Sequence, residues 1–124
     1  MSAQTTSSGS DFVATPSVNG DEVTLTLTGT GDMAAVAPLE QCLNQMHQLI
    51  TARGFGGARI DISALYLLNS SCIKTLLSFL HTNMRSKRRY PVRFIVDAHL
   101  AWQARTLGVL ARMAPDLVSV TPKQ

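Results

Sequence analysis

Residues 58–80, ARIDISALYLLNSSCIKTLLSFL, constrain the fold more than any other stretch, because the apolar period changes within them. Ile60 and Ile62 alternate as on one face of a strand, whereas Ile73, Leu76, Leu77, Leu80 and Met84 recur three and four residues apart, as on one face of a helix. A strand must therefore give way to a helix between Ile62 and Ile73, and Asn69-Ser70-Ser71 stands at the junction. Asn and Ser are preferred N-caps, because their side-chain oxygens accept hydrogen bonds from the first-turn amides that a helix leaves without partners. The pattern predicts a hydroxyl held at a helix N-terminus. No charged side chain occurs between Asp61 and Lys74, so this junction is expected to be buried or presented, with Asn-Ser-Ser as its polar knot.

The remaining chain supplies partners for that strand and helix. Asp11 to Pro16 predicts a short edge strand, and Asn19-Gly20-Asp21 a turn. Val23, Leu25 and Leu27, alternating with Thr24, Thr26 and Thr28, predict a half-buried strand antiparallel to the first. A helix is expected over 34–52, capped by Asp32, with Val36, Leu39, Leu43, Met46 and Ile50 on one face. Arg53-Gly54-Phe55-Gly56-Gly57 ends it; a phosphate-cradling glycine loop precedes its helix rather than following one. A strand over 58–63, the serine-started helix to about Arg85, a strand over 92–96 opened by Pro91, a helix over 100–113 and a short strand over 117–120 complete the pattern. The last helix is expected to turn Leu100, Ala104, Leu107 and Ala111 to one side. Two strands followed by alternating helices and strands indicate an α/β domain: a mixed four- to five-stranded sheet with an N-terminal antiparallel hairpin and helices packed on it. Residues 1–10, rich in Ser, Thr and Gln, are expected to form a disordered tail, and residues 11–121 the domain.

Composition narrows the function classes. The 124 residues, 45% hydrophobic, suffice for one core. No apolar run approaches the roughly 20 residues of a membrane span, and MSAQTTSSGS lacks the basic start and apolar centre of a signal peptide, so a soluble cytoplasmic protein is expected. Cys42 and Cys72 fit neither a zinc site nor a disulfide framework and read as reduced, packed thiols. His47, His81 and His99 fall in three elements at no ligand spacing, Asp61 and Asp97 read as strand-end or turn residues, and no nucleophile, base and acid set is visible; neither enzyme, metal nor cofactor is expected. The net charge of +3 comes largely from Arg85, Lys87, Arg88 and Arg89. That run falls at a helix end, where cations complement the dipole, and only Tyr90 and Phe94 are at hand as stacking aromatics, so nucleic-acid binding is the less favoured reading.

The stretch 58–80 resembles the STAS domain, the SpoIIAA-like fold of bacterial anti-sigma factor antagonists, in which a strand leads into a helix that starts on a serine or threonine. Leu68-Asn69-Ser70-Ser71-Cys72-Ile73-Lys74 is most similar to the SiaC branch, whose loop has Asn, a phosphorylated Thr, Ser and then Ile-Lys. On that match Ser70 occupies the phosphorylated position, with Ser71 the second candidate. The sequence departs from the antagonists in having Asn69 where they have Asp and Cys72 where they have Gly. The resemblance implies a non-enzymatic, partner-switching regulator of signal transduction. A serine/threonine kinase related in fold to histidine-kinase ATPase domains would modify it and a PP2C-type phosphatase would reverse this. The regulated partner would be an anti-sigma factor or, in the SiaC branch, a diguanylate cyclase.

Residue chemistry is compatible with such a switch. A phosphate on Ser70 adds about −1.5 to −2 charges at the positive end of a helix, where free amides accommodate it. Lys74 on the next turn adds at most a weak contact if exposed. Release would then follow from charge and bulk placed among Leu67, Leu68 and Cys72, expected as the partner surface; the resemblance implies that Asn69 orients the serine or contacts the kinase. Two alternatives stand beside this: a constitutive scaffold or dimerisation module in which Ser70 is only a cap, and a small nucleic-acid-binding domain using residues 85–89.

Overall fold

The computed structural model describes residues 5–6 and 11–123. The alternation of aliphatic residues with threonine builds a hairpin of β2, Val13–Asn19, and β3, Glu22–Gly31, in antiparallel register from Val13 opposite Thr28 to Asn19 opposite Glu22. Gly20, with φ of 59°, supplies the left-handed residue of the turn. β4, Gly57–Leu68, β5, Val92–Val96, and β6, Val118–Pro122, follow in parallel, each beside its predecessor. The parallel steps require crossovers, supplied by helices α1, Val36–Arg53, α2, Ser70–Arg85, and α3, Ala101–Met113. A two-residue strand, β1 (Thr5–Thr6), pairs antiparallel with Val13 and Ala14 and makes the sheet six-stranded, in sequential order. Apart from that pairing, the tail expected over residues 1–10 lies outside the described residues.

One face of the sheet carries the core. Val23, Leu25, Leu27, Ala58, Ile60, Ile62, Val92, Phe94 and Val96 join Leu39, Leu43 and Ile50 of α1, Leu76 and Leu80 of α2, and Leu107 and Leu110 of α3 in a single buried cluster. Because strand side chains alternate, Thr26, Thr28, Arg59, Asp61, Arg93, Ser119 and Thr121 turn to the opposite face. Cys42 and Cys72 are buried and not disulfide-bonded. Among the described residues no helix is long and apolar enough to cross a membrane.

Several boundaries differ from the sequence reading for local reasons. β2 begins at Val13 rather than Asp11 and passes through Pro16, which among the described residues has no ladder partner on the β1 side, where β1 pairs with Val13 and Ala14. A 3-10 turn, Met33–Ala35, precedes α1, and Asp32, expected as a cap, makes no side-chain capping bond. β4 continues past Ser63 to Leu68, because β3 accompanies it as far as Gly31. Register shifts between Thr26 and Thr28 and between Gly29 and Thr30 disturb the two-residue period there and hide the extension from a pattern search. In α3 the buried residues are Gln103, Leu107 and Leu110, whereas Ala104 is exposed; a buried glutamine, not an apolar stripe, sets that helix's rotation.

Tyr90 is buried between α1 and α2, its ring 5.8 Å from that of His47 and 6.4 Å from that of Phe79. His47 Nδ1 lies 2.7 Å from the Tyr90 hydroxyl. Burial lowers the imidazole pKa below its ordinary 6.5 and raises that of the phenol. As pH falls through 6.5 the unfolded chain takes up a proton that the folded imidazole resists, so stability is lost with acidification. The urea midpoint should fall between about pH 7.5 and about pH 5.5, with a smaller fall for His47→Gln; identical profiles for the two proteins would dismiss His47 as the cause.

Candidate functional site

The strand and helix at residues 58–80 meet at one residue, without an intervening turn. Leu68 is the last residue of β4, and the Asn69 amide still donates to the Gly31 carbonyl at 2.8 Å as the ladder ends. Asn69 is extended, with φ of −74° and ψ of 170°, and its side-chain oxygen accepts from the Cys72 amide at 2.8 Å. The first intrahelical bond runs from Ile73 N–H to the Asn69 carbonyl at 3.0 Å. The Ser70 and Ser71 amides therefore stand ahead of the ladder, at the positive end of a 16-residue helix. Gly31 allows this close approach: a β-carbon there would lie 2.8 Å from the Leu67 carbonyl oxygen.

Capping thus belongs to Asn69, and Ser70 is the first helical residue, with an exposed side chain. Asn69→Ala should cost about 1 kcal/mol, whereas Ser70→Ala should change stability by no more than about 0.5 kcal/mol. Urea unfolding of the two variants checks the assignment; a reversed order would return the cap to Ser70. Ser71 is half-buried, and its carbonyl accepts from the Thr75 hydroxyl at 2.9 Å.

The surface around Ser70 differs from the expected one. Leu68 and Cys72 turn into the core, 7% and 0% exposed, because they continue the buried faces of β4 and α2. Burial pushes the Cys72 thiol pKa up, the Asp32 carboxylate pushes it further, and a hydrogen bond involving the Asn69 backbone opposes both. Such a thiol is protonated and unreactive. Leu67 is presented as expected, 48% exposed, and so are two residues that the pattern does not select, its neighbour Tyr66 at 75% and Met33 at 67%. Met33 follows the loop in which the Gly31 carbonyl holds Asn69 and the Asp32 carbonyl lies 3.5 Å from Cys72 Sγ. Tyr66 and Leu67 are consecutive and both outward, an arrangement that a two-residue period cannot reveal. Lys74 is exposed one turn on, with no carboxylate at ion-pairing distance among the described residues.

Beside Tyr66, a crevice of about 610 Å³ opens at the C-terminal end of β4, lined among others by Ser63, Leu100 and Lys123. The two aspartates have structural roles. Asp61 accepts from the Ser63 amide and hydroxyl at 2.9 and 2.6 Å, and Asp97 accepts from the His99 amide at 2.9 Å. In the basic run, Arg88 Nη2 donates to the Gly54 carbonyl at the end of α1, and Arg89 Nε to the Met84 carbonyl near the end of α2. These guanidinium groups serve helix ends, as the dipole argument anticipates.

No protein-family model and no curated protein matches the chain. Among solved structures, it is similar to the crystal structure of an anti-sigma factor antagonist from Mycobacterium paratuberculosis, with a TM-score of 0.69 over 94% of this chain and 91% of that one. The two sequences are 16% identical, so the likeness is one of fold. Over that coverage the chain has the STAS-like fold, an α/β domain with an N-terminal antiparallel hairpin and helices packed on a mixed sheet.

Proposed function

We propose that this protein is a partner-switching regulator of the anti-sigma factor antagonist type, which binds its partner while Ser70 is unmodified and releases it when Ser70 is phosphorylated. The observation that carries the reading is the position of Ser70. It is an exposed hydroxyl relieved of the capping role by Asn69, at a helix N-terminus that follows the strand end carrying the exposed Tyr66 and Leu67. Consecutive exposed aromatic and Leu side chains at a strand end suit a protein interface better than bulk solvent.

A phosphate at Ser70 is compatible with the fold, because the free amides of the first turn and the helix dipole favour an anion there. It is incompatible with a partner packed on Tyr66 and Leu67, which would have to desolvate a dianion without a countercharge. The switch therefore acts on association and leaves the fold intact. A serine/threonine kinase of the histidine-kinase-ATPase type and a PP2C-type phosphatase would set the phosphorylation state. The regulated partner would be an anti-sigma factor or a diguanylate cyclase, and the protein itself would perform no catalysis in the cytoplasm.

Peptide mass spectrometry on the protein purified from its native host tests this directly, since residues 60–74 form one tryptic peptide. A single phosphate on Ser70, varying with growth and stress, is the expected result. Full coverage of an unmodified peptide under all those conditions would replace the switch with a constitutive scaffold.

A further inference from the structure

On the sheet face turned away from the helices, one cross-strand row holds Ser17, Thr24, Arg59, Arg93 and Ser119, each directly opposite the next. Arg59 and Arg93 are thus like charges side by side on adjacent strands, a pairing that destabilises a sheet when nothing lies between them. Three polar atoms of the row, Thr24 Oγ1, Arg59 Nε and Arg93 Nε, are buried with no hydrogen-bond partner. Arg93 Nη2 reaches Glu22 Oε1 at 2.8 Å, but no carboxylate lies at ion-pairing distance from Arg59 among the described residues. The nearby carboxylate of Asp61 is engaged by Ser63, with Lys123 3.9 Å away. Two guanidinium groups facing one committed carboxylate leave one positive charge in excess, set between hydroxyl residues on the face opposite the helix-covered core.

We propose that this row is an oxyanion site, in which a carboxylate or phosphate group bridges Arg59 and Arg93. The guanidinium ends would donate to the anion's oxygens, relieving the repulsion across the strands, with Thr24 and Ser119 flanking them. Guanidinium groups suit this task, because their planar fork of donors matches the oxygen spacing of both anions. Arg59 lies near the start of β4 and Ser70 just beyond its end, about 30 Å away at the usual rise of an extended chain. The site is therefore independent of the switch proposed above.

The test is nuclear magnetic resonance of the 15N-labelled full chain, following arginine Nε–Hε signals as sodium phosphate or, separately, sodium acetate is added at ionic strength held constant with sodium chloride. The Arg59 and Arg93 signals should move together along a saturating curve while those of Arg85, Arg88 and Arg89 do not. The anion that saturates at lower concentration identifies the group bound. Arg59→Gln should weaken binding at least tenfold. Glu22→Gln, which frees Arg93 from its ion pair, should strengthen it several-fold and needs no loss of fold to be informative. Shifts linear in concentration and alike for all arginines, or an unchanged or weaker affinity in Glu22→Gln, would overturn the proposal.

Discussion

Replacing Gln103 with leucine should lower the stability of the domain by about 3–5 kcal/mol, a large fraction of what a domain of this size possesses. Gln103 is fully buried, and its amide nitrogen donates to the carbonyls of Ile62 at 2.9 Å and Leu65 at 3.0 Å, with Ser63 further off at 3.4 Å. Its oxygen accepts from the Asp97 amide at 2.7 Å. These bonds are needed because β5 pairs with β4 only as far as Asp61, opposite Ile95, while β4 continues to Leu68. Beyond that point one side of β4 has no neighbouring strand among the described residues, and Gln103 takes the place of one. Leucine would fill the space but leave buried carbonyls and an amide unpartnered, each at a cost of about 1–3 kcal/mol. Gln103→Glu separates bonding from packing. At neutral pH its carboxylate would face the carbonyls that now receive N–H bonds, and the damage should lessen as pH falls and the carboxyl protonates. Urea unfolding measures both effects, and a Gln103→Leu protein within 1 kcal/mol of the original would show that packing alone holds the strand end.

Gln103 also marks where sequence reading stopped. The hairpin, the parallel strands and the three helices were legible, since each is written in a period of two or of three to four and bounded by glycine or proline, as at Gly20, Gly54 and Pro91. The junction at Asn69 was legible for the same reason, as the place where one period replaces the other. The far end of β4 was not. There the register with β3 shifts twice, Gln103 substitutes for a strand, and Tyr66 and Leu67 both turn outward. Each departure depends on a contact distant in sequence, and local pattern carries no record of it. An uncharged stretch beside a polar triplet looks the same whether buried or presented, and only the tertiary packing of Leu68 and Cys72 into the core distinguishes the two.

Partner affinity is expected to separate sharply from stability at the strand-to-helix junction. With a partner captured from native-host extract on the Ser70→Ala protein and then purified, Ser70→Asp should bind at least about thirtyfold more weakly than Ser70→Ala, a difference of about 2 kcal/mol. Burying even one unpaired carboxylate against an apolar interface costs that much or more. Tyr66→Ala should also weaken binding by tenfold or more, because a largely exposed tyrosine beside an exposed leucine has the character of an interface anchor. Neither change should alter the unfolding midpoint appreciably: Ser70 makes no capping bond, and Tyr66 is 75% exposed. Calorimetric titration and urea unfolding of the same preparations give the two quantities. Equal affinities for the Asp and Ala forms would refute the switch even if Ser70 proves to be phosphorylated. A loss of affinity accompanied by an equal loss of stability would show that the helix end had been damaged rather than its surface charged. The two measurements together therefore distinguish a site that releases its partner through charge from one that does so through unfolding.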